Sequence, residues 1–400
     1  MPKLHLDHLC KRYRRREQVL KDLDLVIDGK EFVAVLGPSE SGKSTLLRMI
    51  SGIEKATGGA VYIDDVLVSK KTPSTGEVAM VFQNHALYPR MTIYDNIAYS
   101  LKLQRMPADQ IQEKVGQMAE LFHLTEILEQ KPAAVSVEQR RIVAIARALV
   151  RDPKIVLLDE PFTGLDDGTR HRLRQMLQLI YQQMDATFLY VTRDPAEAMA
   201  LGTQILILRD GEVQQLDTPQ EVYSHPVSMF VAGLIGVPAM NFWKAKLVTG
   251  AETGTEESPD KKQEGKVSEQ NSDKKQGEKV SERDQRKPDS AYLQIEGLGE
   301  YFLSPETLSH FRDSGYAGQE IIVGVRPERI RLQSEGSLSA VSSFYGMDDA
   351  GGHLYLESSD KQVTVQVERG QEPELGSVFF FDMEEEDLHF FDGETEERIF

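Results

Sequence analysis

An α/β domain with a mostly parallel sheet, followed by a smaller all-β domain, is the fold class this sequence predicts. Three observations predict it. Short β-branched runs alternate with helical stretches from Lys3 to about Gly236. A charged, low-complexity stretch interrupts the chain after Asn241. From Ala291 to Phe400 alternating segments return, such as Glu320 to Val325 and Gln362 to Val367, with Gly-rich turns and no long helical pattern.

The strands of the first domain are short, apolar and bounded by Gly, Asp or Thr: Phe32 to Leu36, Ala79 to Phe82, Ile155 to Leu158, Phe188 to Val191 and Ile205 to Leu208. Helical pattern dominates about 90–150, including Asp109 to Phe122 and a stretch beginning near Glu138, and reads as a helical subdomain inserted in a domain spanning 1–238. Residues 251–290 contain no Leu, Ile, Phe, Met, Trp or Tyr, so burial cannot offset the entropy of ordering them. Within them DKKQEGKVSE at 260–269 recurs as DKKQGEKVSE at 273–282. The stretch 250–290 is expected to be a solvated, disordered insertion, with a binding tail as the alternative. Residues 239–249 and 291–400 make the β-rich domain, read as OB-like.

The bulk composition narrows the function. A chain of 400 residues, 40% hydrophobic and 28% charged, can bury a sizeable core in two or three domains. Its net charge of -18 disfavours nucleic acid, where affinity comes mainly from Lys and Arg on phosphates. Cys10 is the sole cysteine, which excludes an intrachain disulfide and suits a reducing compartment. The start MPKLHLDHLC lacks an apolar h-region, and no later apolar run approaches the ~18 residues that span a bilayer, so any membrane contact is expected through a partner.

GPSESGKST at 37–45 satisfies G-x-x-x-x-G-K-[ST] after a strand and before a helix. Such a loop wraps backbone N–H groups around phosphate oxygens at a helix N-terminus, where the dipole favours anions. Gly37, Pro38, Ser39, Gly42, Lys43, Ser44 and Thr45 are therefore candidate ATP-binding residues, Gly37 and Gly42 permitting the wrap and Lys43 reaching the β- and γ-phosphates. The Ser44 hydroxyl is a candidate Mg²⁺ ligand. IVLLDEP at 155–161 ends an apolar strand in two carboxylates: Asp159 can hold the Mg²⁺ shell and Glu160 can orient or deprotonate the attacking water. Together the two motifs predict a P-loop ATPase core.

The ordered series GPSESGKST, VFQNHALYP at 81–89, VSVEQRRIVAIARAL at 135–149, LLDEP, GLD at 164–166 and VTRDPAEAM at 191–199 resembles ABC-transporter nucleotide-binding subunits, in particular the maltose-importer ATPase group. The resemblance continues through FVAGLIGVPAMNF at 230–242 to GVRPERIRL at 324–332 and so covers nearly the whole chain except the charged insertion. It implies a head-to-tail dimer, expected to be a homodimer with a heterodimer as the alternative, with each ATP between one subunit's phosphate loop and the other's signature helix, which adds Ser136 and Gln139 to the nucleotide contacts. Tyr13 falls where the family stacks an aromatic on adenine, Gln83 where it senses Mg²⁺ and the γ-phosphate, and Asp166 where it contacts the opposite subunit. The region Ala86 to Arg105 would line the groove that receives a helix of the transmembrane permease subunits. The implied function is ATP-driven solute import, with carbohydrate as cargo, at the cytoplasmic face of the membrane. The alternative is a regulatory or structural nucleotide-binding subunit with little hydrolysis of its own.

Three departures from the family pattern, at four positions, stand out. Glu40 replaces a loop Gly; Val137 and Glu138 replace the two signature glycines; Arg193 replaces a His. A carboxylate at 138 facing a phosphate charge about 5 Å away would be repelled by roughly 1 kcal/mol in water and about 3 kcal/mol at an effective dielectric near 20. Arg193 cannot accept a proton as imidazole can; it either reaches the γ-phosphate or points away. Glu40 either faces solvent or, where φ must be positive, strains the loop.

Overall fold

The computed structural model describes residues 3–14, 17–68, 77–84, 86–248, 291–316, 318–347, 351–359, 361–368 and 374–400. The expected insertion at 250–290 lies outside the described residues. The chain forms two compact units, one of Met1–Val227 with Leu234–Val237, the other of Ser228–Gly233 with Pro238–Phe400.

In the first unit the elements follow in the order β1 (Leu4–Arg14), β2 (Glu17–Ile27), β3 (Phe32–Leu36), α1 (Lys43–Ile50), β4 (Gly58–Ile63), β5 (Val66–Leu67), β6 (Val78–Val81), α2 (Ile93–Leu103), α3 (Ala108–Leu121), α4 (Val137–Leu149), β7 (Ile155–Asp159), α5 (Asp167–Gln183), β8 (Thr187–Val191), α6 (Pro195–Leu201), β9 (Gln204–Arg209), β10 (Glu212–Asp217) and α7 (Pro219–Ser224). Five strands pair in parallel in the order β9-β3-β8-β7-β6, and β10 closes one edge antiparallel. All five residues of β3, β7 and β8 are buried, as expected of a parallel sheet covered on both faces. The expected strands appear within one or two residues of their expected ends.

A second, antiparallel sheet of order β2-β1-β4-β5 covers one side. The leucines of β1 and β2 pack with α1 and with Val33, Val35 and Leu157 of the parallel sheet. On the opposite side Phe32, Phe188 and Tyr190 meet the inward stripes of the helical subdomain, Ile93, Ile97 and Leu101 of α2 and Ile111, Val115 and Ala119 of α3. The helix expected over Asp109 to Phe122 is α3, and that expected near Glu138 is α4.

The second unit holds α8 (Met229–Leu234) up to Gly233, β11 (Asn241–Val248), β12 (Tyr292–Ile295), β13 (Gly299–Phe302), α9 (Pro305–Asp313), β14 (Glu320–Val325), β15 (Ile330–Gln333), β16 (Leu338–Met347), β17 (Gly352–Ser358), β18 (Lys361–Val367), β19 (Val378–Met383) and β20 (Leu388–Asp392). The strands join in one ten-stranded antiparallel sheet. The nine-residue α9 is an addition to the strand-only pattern read from the sequence. Its start is signalled by Ser304, whose side chain accepts from Thr307 N, and by proline at the first helical position. Its Phe311 packs edge-on against Phe390 at 4.9 Å.

Trp243, the chain's single tryptophan, is 1% exposed in this core and lies 6.3 Å from the Phe381 ring. Its emission therefore reports on the second unit alone. Phe381→Ala is expected to lower the stability read by tryptophan fluorescence in urea by about 3–5 kcal/mol. An unchanged midpoint would contradict this packing.

Candidate active site

Parallel pairing brings the site together. Val35 of β3 lies beside Val191 of β8, and Val191 beside Asp159 of β7, so the segments after these strands emerge side by side. The phosphate loop leaves β3, Glu160 follows β7 and Arg193 follows β8.

The loop's glycines are required by packing as well as conformation. At Gly37 (φ 158°) a Cβ would lie 2.1 Å from Leu208 O, and at Gly42 (φ 102°) it would lie 2.6 Å from Leu20 Cδ2. Glu40 is exposed and has φ 66°, so both features raised for it are present: it faces solvent and its backbone is strained, at a cost of roughly 1–3 kcal/mol. Lys43 is 5% exposed, and its Nζ donates to Gly37 O (2.8 Å), Pro38 O (2.5 Å) and Ser41 Oγ (3.3 Å). Burial, then the charge of Arg193, lowers its pKa below the usual lysine value.

Ser44 Oγ donates to Asp159 Oδ1 at 2.9 Å, tying the first turn of α1 to the end of β7. Burial pushes the pKa of Asp159 up, the Ser44 bond opposes it, and the charge of Glu160 adds to the rise. Glu160, 8% exposed and at φ 45°, has both carboxylate oxygens engaged. Oε1 accepts from Arg193 Nε at 2.7 Å; Oε2 accepts from Thr163 Oγ1 at 3.1 Å and Gln83 Nε2 at 3.3 Å. Arg193 thus follows neither course raised for it. It holds the carboxylate that was expected to activate water.

Ser39, Gly42, Lys43, Ser44, Thr45, Glu160, Arg193 and Tyr13 line one cleft of about 340 Å³, with Val19 and Glu40. Tyr13, half-exposed, donates its hydroxyl to Glu54, and Lys11 Nζ lies 4.8 Å above its ring and 3.0 Å from Glu54. Glu54 and Val19 carry no motif that would single them out.

Ser136, Gln139 and Asp166 do not line this cleft. Ser136 and Gln139 form a capping box at the start of α4: Ser136 Oγ accepts from Gln139 N at 3.0 Å, and Gln139 Oε1 accepts from Ser136 N at 2.9 Å. Asp166 caps α5 by accepting from Thr169 N at 3.0 Å, and this bond lowers its pKa. Glu138, expected to repel phosphate, lies 3.5 Å from Arg172 Nη2.

A strand, a glycine-bearing loop and a helix whose serine bonds a strand-end carboxylate define the class: this is a P-loop ATPase. Residues 20–163 match the ABC transporter family. The oligosaccharides import ATP-binding protein MsmX of Bacillus subtilis (strain 168) is 35% identical over 407 residues, covering 100% of both chains. The sn-glycerol-3-phosphate import ATP-binding protein UgpC of Escherichia coli (strain K12) is 34% identical over 401 residues, again covering 100% of both. YurJ of Bacillus subtilis (strain 168), an uncharacterized ABC transporter ATP-binding protein, is 33% identical over 407 residues with the same full coverage. The chain belongs to the ABC transporter family, among its ATP-binding proteins. No helix among the described residues is long and apolar enough to cross a membrane.

The raised pKa of Asp159 has a measurable consequence. The folded state binds this proton more tightly than the unfolded state, so stability falls as pH rises from the ordinary carboxyl value of 3.8, and the full penalty is present above the folded pKa. Asp159→Asn, which can still accept from Ser44, is expected to raise the urea midpoint of nucleotide-free protein at pH 7, with the gain shrinking toward pH 4. A lower midpoint at pH 7 would show that burial is not the dominant influence on this carboxyl.

Proposed function

We propose that this chain is the ATPase subunit of an ABC importer for carbohydrates or their phosphate-bearing relatives, coupling ATP binding and hydrolysis to uptake from the cytoplasmic face of the membrane. The observation that carries the reading is full-length similarity, through the second unit as well as the first, to importer subunits whose names specify oligosaccharides and sn-glycerol-3-phosphate.

In this reading the loop from Gly37 to Thr45, including Pro38 and Ser39, holds the ATP phosphates, and Lys43 exchanges loop carbonyls for phosphate oxygens. Tyr13 stacks on adenine. Ser44, Asp159 and Gln83 supply the oxygen donors that suit Mg²⁺, and a buried carboxyl whose charged form is disfavoured gains from a cation beside it. Magnesium, when bound, neutralises charge between the β- and γ-phosphates. Glu160 takes the proton of the attacking water as the water oxygen bonds the γ-phosphorus and the bond to the β-phosphate oxygen breaks. Ser136, Gln139 and Asp166 serve the nucleotide of a second copy in a homodimer. The permease helix docks near Ala86 to Arg105, where Tyr88 and Leu103 are exposed and buried Asn96 ties the loop to α2 through bonds to Tyr88 N (2.8 Å) and Thr92 O (2.8 Å). The second unit holds the two copies together.

The Arg193–Glu160 ion pair supports a second reading, a nucleotide-binding regulatory or structural subunit with little hydrolysis of its own. Oε2 already accepts two hydrogen bonds and Oε1 accepts one from Arg193, so a single Oε1 lone pair is left to take a water proton.

Two measurements separate these readings. With permease subunits present, Mg-ATP hydrolysis is expected and Lys43→Ala is expected to abolish it; no Lys43-dependent turnover would sink the transport ATPase. Under the second reading the combined changes Val137→Gly, Glu138→Gly and Arg193→His raise turnover by about tenfold or more, the range of one positioned acid–base group. No change removes the case for it.

A further inference from the structure

The outer face of the β1–β2 pair gathers two imidazoles and three carboxylates, none of which lines the phosphate cleft. Leu4, Leu6 and Leu9 of β1 are buried, while His5, Asp7 and His8 turn outward. Strict alternation would send His8 inward. A register irregularity between Leu6 and Leu9, with His8 at φ 47°, turns it out beside Asp7 instead. On β2 Asp22, Asp24 and Val26 are exposed, alternating with buried Leu23 and Leu25.

We propose that this face holds one first-row divalent transition-metal ion through His5, Asp7 and Asp24. One donor atom from each of the three lies within 4.8 Å of the other two. His5 Nε2 is 3.9 Å from Asp24 Oδ1, and the His5 ring is oriented by stacking on Tyr62 at 5.6 Å and 24°. Donors about 2.1 Å from a shared ion stand about 3.0–3.5 Å apart, so small rotations of exposed carboxylates close the site. His8, with Nε2 4.0 Å from Asp24 Oδ2, stands next to these three as a further imidazole, its Nδ1 held by Asp22 Oδ1 at 2.9 Å. A carboxylate bonded to the second ring nitrogen is the arrangement that orients metal-bound histidines.

Electrostatics favours a cation here independently. Asp7 and Asp24 each offer a carboxylate oxygen within 4.8 Å of the other, and like charges so close across strands are destabilising. Among the ion pairs of the described residues, Asp22 and Asp24 are matched only by imidazoles, with no lysine or arginine. Imidazole with carboxylate selects zinc, manganese, cobalt or nickel over magnesium and calcium, which prefer oxygen alone. A bound ion would bridge β1 to β2, and β1 carries Tyr13 at its far end.

The test is calorimetric titration of untagged, full-length protein with Zn²⁺ alone as probe, in excess Mg²⁺ so that the oxygen donors near Asp159 are occupied. One Zn²⁺ per chain is expected. His5→Ala and Asp24→Asn should each weaken it by about tenfold or more. His225→Ala, which removes an imidazole paired with Glu221 on α7, should leave it unchanged. Unaltered circular dichroism in each variant separates lost ligands from lost fold. Absence of Zn²⁺ uptake, or uptake indifferent to His5→Ala and Asp24→Asn, overturns the site. ATP hydrolysis is not the readout, so either outcome leaves the ATPase reading untouched.

Discussion

The parallel register that places Val35 beside Val191 and Val191 beside Asp159 is the constraint on which the rest depends. Three chain segments far apart in sequence must end at one level for a loop lysine, a strand-end aspartate and an arginine to meet. The register holds because β3, β7 and β8 are buried on both faces, so sliding any of them would remove apolar side chains from two cores at once. The bond from Ser44 to Asp159 then joins the helix after β3 to the end of β7. The site is an outcome of sheet packing before it is an arrangement of charges.

Much of this was legible from residues alone, because it is written in local pattern. The five parallel strands are unbroken apolar runs, and the phosphate loop is contiguous. What stayed hidden depends on partners distant in sequence. Nothing near Arg193 announces that its guanidinium grips Glu160, 33 residues earlier, or that Arg172 stands 34 residues beyond Glu138 and beside it in space. The antiparallel sheet was obscured because its strands carry irregular register and short bulges, which break the alternation that a period-two pattern relies on. Helix α9 was missed because its nine residues are fewer than a confident helical periodicity requires, although Ser304 and Pro305 mark its start.

Charge in the cleft is arranged so that each group holds another. Lys43 spends its donors on the loop it comes from, and Arg193 both lowers its pKa and pairs with Glu160. Asp159 has a serine hydroxyl as its hydrogen-bond donor and makes no ion pair among the described residues, feeling Arg48 and Lys43 only at longer range. Phosphate and Mg²⁺ address different members of this set. Phosphate oxygens compete for Lys43 and Arg193, and a hard cation suits Asp159 and Ser44. In the proposed mechanism, drawing Arg193 toward phosphate would free a second lone pair on Oε1 of Glu160, so the arginine paired with the proposed base would respond to the arrival of substrate charge.

The departures at 137 and 138 divide on the same grounds. The cap that starts α4 is intact, since Ser136 and Gln139 still bond one another reciprocally. Glu138 sits in the first turn, where the helix dipole favours an acid, and Arg172 stands 3.5 Å away. Its charge is therefore met within the subunit, and Arg172 reduces the roughly 3 kcal/mol repulsion between it and one phosphate unit charge. No comparable compensation exists for Val137, an exposed β-branched side chain at the helix tip. In the proposed dimer the cost of this signature would then be mainly one of shape, Val137 limiting how closely the partner's phosphate could approach the N–H groups of α4. Arg172 is the residue through which the charge at Glu138 becomes tolerable.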